Sequence, residues 1–234
     1  MKLYSKRLDF DNFFTKNMKI IKEICNEEYY IQYGINIRKQ LGVDLRRAKK
    51  DVDIASLIPK EAKCVFLTRC EGDTMPELPD IVEVLFLSEN SFTKFPFPLP
   101  KNLKELYFKG GIPLKKLPDL SHLKFLWSLD INLEIDLSEF NPKKKRYIKK
   151  LPDNLPDSIK IITIKRSDIK SSLKSLPSNL QELGISACKN IAKIPDLSYL
   201  KHLKFLNLTY DRTDPPAIHK KTLDMKIKIG RWFT

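Results

Sequence analysis

The sequence predicts an α/β solenoid in which a curved parallel β-sheet of about seven to eight short strands has an extended convex side and a helical N-terminal cap. Three observations predict this fold class. An apolar-x-x-apolar-x-apolar pattern recurs along the chain, most copies lie about 20 to 23 residues apart, and apolar–proline pairs lie between them. The 234 residues, 42% of them hydrophobic, are enough to bury a core.

The repeated strand is clearest in the segment from Leu103 through Leu106 to Phe108. The last two apolar residues of each copy alternate with other residues, which predicts a short strand with one buried face. A single unit cannot bury that face alone, so the units must stack and their strands form a parallel sheet. The steps are 20, 21, 23, 33, 21 and 23 residues between the middle apolar residues Val65, Leu85, Leu106, Leu129, Ile162, Leu183 and Leu206.

Proline shapes the segments that return from one strand to the next. Twelve of the 15 prolines follow a large apolar residue, and nine of these apolar–proline pairs are taken as marks of the return segments. Proline lacks an N–H donor and disfavours helix at the residue before it, so these segments should be extended and lean. The pairs are Ile58-Pro59, Leu78-Pro79, Phe95-Pro96, Leu99-Pro100, Leu117-Pro118, Leu151-Pro152, Leu155-Pro156, Leu176-Pro177 and Ile194-Pro195.

A column of residues three positions after the last strand apolar should bond the backbone of the following turn. This assigns Cys70 and Cys188 as buried structural thiols rather than reactive ones. The four cysteines, with Cys25 and Cys64, have no metal-binding spacing, and reduced thiols fit a reducing compartment. The column reads Cys70, Asn90, Gly111, Glu134, Ser167, Cys188 and Asp211.

The stretches LPKNLKELYF, LPDSIKIITI and LPSNLQELGI join the apolar–proline pair to the strand pattern. In this the sequence resembles the short LPX-type leucine-rich repeats of effector proteins that intracellular bacterial pathogens inject into host cells. The resemblance covers about residues 58–211 and implies a leucine-rich-repeat solenoid that binds another protein. Some members of that family add a ubiquitin ligase domain with a Cys-x-Asp motif. No Cys-x-Asp occurs in this sequence, so the resemblance does not imply ligase activity.

Residues 1–57 break the repeat and are interpreted as a helical N-terminal cap. Asp11 can cap a first helix, and a second, basic helix is expected from about Ile35 to Lys50. Such a cap would cover the apolar edge of the first repeat, whereas the alternative is a separate binding module of two helices. The apolar residues at roughly helical spacing after Asp11 are Phe13, Phe14, Met18, Ile21 and Ile24.

The repeats are expected to occupy residues 58–216, with a C-terminal cap strand in residues 217–234. The strand is predicted because Leu223, Met225, Ile227 and Ile229 alternate with polar residues, and Trp232 and Phe233 could cover the end of the core. The long step contains a basic insertion near residues 136–150, which includes the run from Lys143 to Lys150. That run is interpreted as a solvated loop, with a nuclear address or an anion-binding patch as alternatives.

Strand residues that point away from the core form what we call the concave face, and they are the predicted partner-binding site. Phe66, Phe86 and Tyr107 should form a ladder on neighbouring strands about 4.8 Å apart, exposed as an interaction hot spot. The alternative is that the N-terminal segment or a loop covers these aromatics. The predicted partner-binding residues are Phe66, Arg69, Phe86, Glu105, Tyr107, Lys109, Asp130, Thr163, Lys165 and Asn207.

These observations favour a protein-binding module that is not an enzyme and needs no cofactor or metal. His122, His202 and His219 have no motif partners, and the sequence contains no Gly-rich phosphate loop. The expected partner is a host protein or another bacterial effector, which the module would inhibit, block or recruit. The formal net charge of +14 raises a nucleic acid or an anionic membrane as alternative partners, although no nucleic-acid recognition motif is present.

The expected location is the bacterial cytoplasm and then the host cell cytosol, with the nucleus as an alternative. Residues 1–10 lack the apolar region of a secretory signal peptide, so export would use a signal-independent route. No apolar run reaches the roughly 18 to 20 residues that a membrane span needs.

Overall fold

The computed structural model describes residues 19–25, 30–35, 40–95, 98–110, 116–132, 151–167, 173, 175–188, 191, 193–210 and 216–233. These residues contain one large sheet of eleven strands and a small sheet of two. The strands are β1 Lys19–Cys25, β2 Tyr30–Ile35, β3 Leu41–Arg46, β4 Cys64–Thr68, β5 Val84–Ser88, β6 Glu105–Lys109, β7 Ser128–Asn132, β8 Ile161–Lys165, β9 Glu182–Ser186, β10 Lys193–Ile194, β11 Phe205–Tyr210, β12 Ala217–Ile218 and β13 Lys228–Phe233.

The large sheet is a mostly parallel β-solenoid whose strands follow one another in the order β1-β2-β3-β4-β5-β6-β7-β8-β9-β11-β13. From β3 onward every neighbouring pair is parallel. The register is continuous, since Leu85 pairs with Leu106 and Leu106 with Leu129. All seven predicted copies of the repeat form strands, which confirms the stacked parallel sheet predicted from the sequence.

The main core lies between the sheet and the return segments. The two apolar residues of each strand, such as Leu106 and Phe108 in β6, point into it and are buried. Leu99 and Leu117 from the apolar–proline pairs close it from the other side. Burying one such side chain stabilises the fold by about 1.5–3 kcal/mol, so the core is built by repetition of one small unit.

The return segments are lean, as the prolines predicted. The proline carbonyl accepts the N–H of the residue three positions later, for example from Ala62 to Pro59 at 2.9 Å and from Leu103 to Pro100 at 3.0 Å. Between β3 and β11 the described helical residues are the short 3-10 turn Ala55–Leu57 and the single residue Leu173. No described helix is long and apolar enough to cross a membrane.

A left-handed residue follows most strands of the solenoid and turns the chain toward the core. Its N–H donates to a carbonyl at the C-terminal end of the next strand, for example from Arg69 to Ser88 at 2.9 Å and from Ala187 to Thr209 at 2.7 Å. A Cβ at Gly110 would clash with the side chain of Glu89. The φ angles are 61° at Arg47, 54° at Arg69, 53° at Glu89, 74° at Gly110, 44° at Arg166 and 50° at Ala187.

The predicted helical N-terminal cap is wrong wherever the structure describes it. In place of helices, β1 and β2 pair antiparallel, β2 and β3 pair antiparallel, and β3 joins the parallel sheet beside β4. Val43 and Leu45 in β3 alternate with Asp44 and point into the main core. Strands here satisfy the edge N–H and C=O groups of β4, which a helix could not do. Residues 1–18 and 36–39, which include Asp11, lie outside the described residues.

A last strand closes the sheet as predicted, but it begins later than the alternating pattern suggested. Residues Lys220–Leu223 form one helical turn, and β13 then pairs parallel with β11. The turn is held by buried Thr222, whose Oγ1 donates to the Pro195 carbonyl at 2.8 Å and accepts the Leu197 N–H at 2.9 Å. The basic insertion near residues 136–150 lies outside the described residues.

Candidate functional site

The concave face carries three parallel rows of side chains because the strands share one register. The middle row takes the residue between the two core apolars of each strand. Each member pairs with the next across the sheet, so the row has strand spacing of about 4.8 Å. It reads Asp44, Phe66, Phe86, Tyr107, Asp130, Thr163, Gly184 and Asn207.

The three aromatics of this row form the predicted ladder, but two of them are not exposed. The ring centroids are 5.6 Å apart for Phe66 and Phe86 and 6.3 Å apart for Phe86 and Tyr107. With Cys64 and Val84 they form an apolar cluster separate from the main core. Phe66 is 4% exposed and Phe86 is 8% exposed, so the expectation of an exposed hot spot is wrong for both. Rings of this size gain free energy by packing against each other and their neighbours rather than against water.

Tyr107 is half-buried. It lies at one end of the aromatic cluster, and its hydroxyl is bonded to a carboxylate. Its hydroxyl donates to Glu105 Oε2 at 2.7 Å, and Glu105 is only 1% exposed. Burial, followed by the negative charges of Glu105 and Asp130, raises the pKa of Tyr107 well above its ordinary value. The phenol therefore remains a neutral donor, and Glu105 serves to hold Tyr107 rather than to form the exposed polar surround predicted for it.

An ion pair between a buried carboxylate and an exposed arginine borders the cluster on its N-terminal side, where the sequence had predicted a helix. Asp44 is 2% exposed and pairs with Phe66 in the register. Arg46 binds both oxygens of Asp44, with Nη2 at 2.6 Å from Oδ2 and Nε at 3.2 Å from Oδ1. The guanidinium also lies 5.6 Å from the ring centroid of Tyr30. Period-two alternation of Leu41, Val43 and Leu45 was the sequence signal that could have placed Asp44 here.

The remaining predicted residues divide into bonded, buried and accessible ones. Arg69 leaves the row after β4, and its Nε donates to Glu89 Oε2 at 2.8 Å. Thr163 is buried, and Nδ2 of Asn207 is buried without a hydrogen-bond partner among the described residues. The half-exposed predicted residues on β6 to β11 are Tyr107, Lys109, Asp130, Lys165 and Asn207. The accessible part of the candidate site therefore lies in the C-terminal half of the concave face.

The column behind the strands bonds the turn backbone as the sequence predicted. Asn90 Oδ1 accepts the Cys70 N–H at 2.8 Å, and Asn90 Nδ2 donates to the Leu67 carbonyl at 2.9 Å. Cys70 is buried, and its Sγ lies 3.7 Å from the Leu45 carbonyl oxygen. In the same column Cys188 is half-buried rather than buried as predicted, and its Sγ donates to the Ser186 carbonyl at 3.3 Å. Both thiols contact backbone and help to hold the concave face rigid.

Cys70 is expected to resist alkylation in the folded protein. Burial raises the pKa of its thiol to about 11, and only the thiolate reacts. At pH 8 we expect iodoacetamide to modify it roughly 100-fold more slowly than in the urea-unfolded chain. Peptide-resolved mass spectrometry measures the two rates, and equal rates would contradict structural burial.

The same raised pKa links stability to alkaline pH. The folded-state pKa lies above the value of about 8.5 for an unfolded thiol. Burial of the neutral Cys70 thiol therefore contributes fully below about pH 8.5, and the contribution is lost as pH rises toward the folded-state pKa of about 11. Replacing Cys70 with serine removes this dependence, which urea titrations at several pH values can detect.

Two of the three histidines, His122 and His219, form hydrogen bonds, and His202 is exposed. His122 Nε2 lies 2.9 Å from the Leu99 carbonyl oxygen, and His219 Nδ1 accepts the Lys221 N–H at 3.3 Å. Among the described residues no three His, Cys, Asp or Glu side chains converge as metal ligands would. No family model matches the sequence, and no curated protein is significantly similar to it.

Proposed function

We propose that the chain is a leucine-rich-repeat protein of the LPX type that binds another protein on its concave face. One observation carries this proposal. Strands β4 to β9 and β11 share a continuous register, which places chemically different side chains in parallel rows on one rigid surface. A surface of this kind loses little entropy on docking, so contacts of modest strength give useful affinity.

The docking surface that we propose is the half-exposed C-terminal part of the face, centred on Lys109, Asp130, Lys165 and Asn207. It presents both signs of charge, which favours a partner of complementary pattern and penalises others. The buried cluster of Phe66 and Phe86 supports this surface from the N-terminal side instead of contacting the partner.

The LPX motifs support a bacterial effector, delivered to the host cytosol, as the wider role. We infer that it acts by occupying a surface, and blocking the active-site cleft of an enzyme is the concrete form we favour. The target is a host protein or another bacterial effector. The formal net charge of +14 supports an anionic partner, nucleic acid or membrane, as the second candidate.

Affinity capture from host-cell lysate with an amine-reactive cross-linker tests the proposed surface. In the folded chain we expect Lys109 and Lys165 to cross-link to the partner, because a docked surface brings both ammonium groups within reach. The variant Lys109→Glu/Lys165→Glu should reduce capture at least roughly tenfold, since like charges then face the partner. Substituting Phe86 is avoided because removing a buried ring would disturb the fold itself.

The matched control is Lys50→Glu/Lys94→Glu, which makes the same charge change at two exposed lysines that follow the C-terminal ends of β3 and β5. It should capture the partner as the unmodified chain does. If both variants lost partner capture equally, binding would depend on net charge rather than on the concave face. A nucleic acid in the captured material would then support an anionic partner as the alternative function. Capture unchanged by Lys109→Glu/Lys165→Glu would remove the concave face as the site.

A further inference from the structure

A second row of side chains lies immediately before the strands, outside the concave face. Its members are joined by backbone hydrogen bonds in which each N–H donates to the carbonyl of the preceding member. These bonds run from Trp127 to Lys104 at 2.9 Å, from Lys160 to Trp127 at 2.9 Å, from Gln181 to Lys160 at 2.8 Å and from Lys204 to Gln181 at 2.8 Å. The five side chains therefore stand at strand spacing along one edge of the solenoid.

The positive charge of this row is neutralised by a carboxylate at one end only. Glu83 precedes Lys104 in the row and binds both Lys104 Nζ at 2.8 Å and Lys63 Nζ at 3.1 Å. Beyond Trp127, Lys160 and Lys204 are exposed and form no ion pair among the described residues. The carboxylates of Glu105 and Glu182 follow the row by one position, but they are buried on the concave face. Positive charge on this edge is thus uncompensated.

An exposed aromatic side chain lies close in sequence to this row. Phe125, two residues before Trp127, is 59% exposed and is the most exposed large apolar residue of the described chain. Trp127 itself is half-buried between Lys104 and Lys160. Aromatic residues surrounded by charged ones are typical anchors of protein interfaces.

We propose that this edge, which we call the basic rim (Lys104, Phe125, Trp127, Lys160 and Lys204), binds an acidic segment of a partner protein that carries an apolar residue. Lys160 and Lys204 attract the carboxylates, and they stand about 9.6 Å apart because they are separated by two strand spacings. Phe125 and Trp127 receive the apolar side chain. Single-stranded nucleic acid fits less well, because stacking of successive bases needs aromatics at successive steps. The rim is separate from the concave face and does not rest on the function proposed for it.

Fluorescence anisotropy of the full chain with a labelled glutamate-rich peptide containing one central phenylalanine tests this proposal. We expect binding that weakens with salt and falls about tenfold in Lys160→Glu/Lys204→Glu, because two attractive charges become repulsive. Lys50→Glu/Lys94→Glu is the matched control and should bind as the unmodified chain does. Lys160 and Lys204 are both exposed, so thermal melting should show that the fold is kept.

A second variant separates the apolar contact from charge. Phe125→Ala should weaken binding of the phenylalanine peptide a few-fold and leave binding of the same peptide with alanine unchanged. Poly-uridine and phosphatidylserine vesicles serve as competing probes. The proposal is overturned if rim and control variants bind the peptide equally, or if poly-uridine or the vesicles bind the rim more tightly than the peptide does.

Discussion

Replacing Leu106 with alanine is expected to lower the free energy of unfolding by about 2–5 kcal/mol. Leu106 is fully buried and lies on β6, in the middle of the parallel sheet, with Leu85 and Leu129 beside it. Removing it leaves a cavity that two stacked neighbours keep from collapsing. Urea denaturation followed by circular dichroism gives the change from the transition midpoint.

The matched control for Leu106 is Ile81→Ala, which removes apolar atoms from a side chain that is 39% exposed. It should lower the free energy of unfolding by less than about 1 kcal/mol. If Leu106→Ala proved as mild as Ile81→Ala, the core assigned to the space between sheet and return segments would be wrong.

Asn90→Ala is expected to lower the free energy of unfolding by about 2–4 kcal/mol, although Asn90 is polar. Its amide is buried and joins two units, since it accepts from Cys70 and donates to the Leu67 carbonyl. Alanine would leave a buried N–H and a buried C=O without this partner. The same urea titration measures the loss.

Asn179→Ala provides the comparison, because Asn179 also bonds a backbone carbonyl, that of Asp157 at 3.0 Å, but is exposed. Water can replace that bond, so the change should stay within about 0.5 kcal/mol. Equal effects at the two asparagines would show that the column behind the strands does not bind the turns together.

The repeats could be predicted because one physical rule acts many times. Alternation of apolar residues, as at Leu183 and Ile185, predicts which face of a strand is buried. Proline indicates where a helix cannot form. The N-terminal strands were missed because their residues, such as Leu41 and Val43, are few and admit both helical and strand spacing. Tertiary contacts determine the secondary structure of this segment. The edge of β4 needs hydrogen-bond partners, and β3 supplies them.

The sequence predicted which side chains share a row on the concave face, but it could not predict which of them are exposed. Strand periodicity placed Phe66, Phe86 and Tyr107 in one row, and the register confirms this. Whether a ring in that row contacts water depends on the packing around it, which no local pattern describes. The basic rim was overlooked because Lys104 and Lys160 read as ordinary surface residues until the backbone bonds align them.

The two proposed binding surfaces differ in charge. The concave face carries both positive and negative side chains, such as Lys165 and Asp130. The basic rim carries positive side chains together with the exposed Phe125. One partner could span both, in which case reversing charges on either surface would weaken the same complex. Two partners would respond separately to the two pairs of substitutions.

Disulfide trapping across the concave face tests the shared register most directly. Paired residues on neighbouring strands lie about 4.8 Å apart, within the distance that a disulfide spans, whereas two strands give about 9.6 Å. Lys109 pairs with Asn132, and Asn132 with Lys165. Mild oxidation should therefore cross-link Lys109→Cys/Asn132→Cys and Asn132→Cys/Lys165→Cys but not Lys109→Cys/Lys165→Cys, as read by mass spectrometry. A cross-link in the third variant, or none in the first two, would contradict the aligned parallel rows on which both proposed surfaces depend.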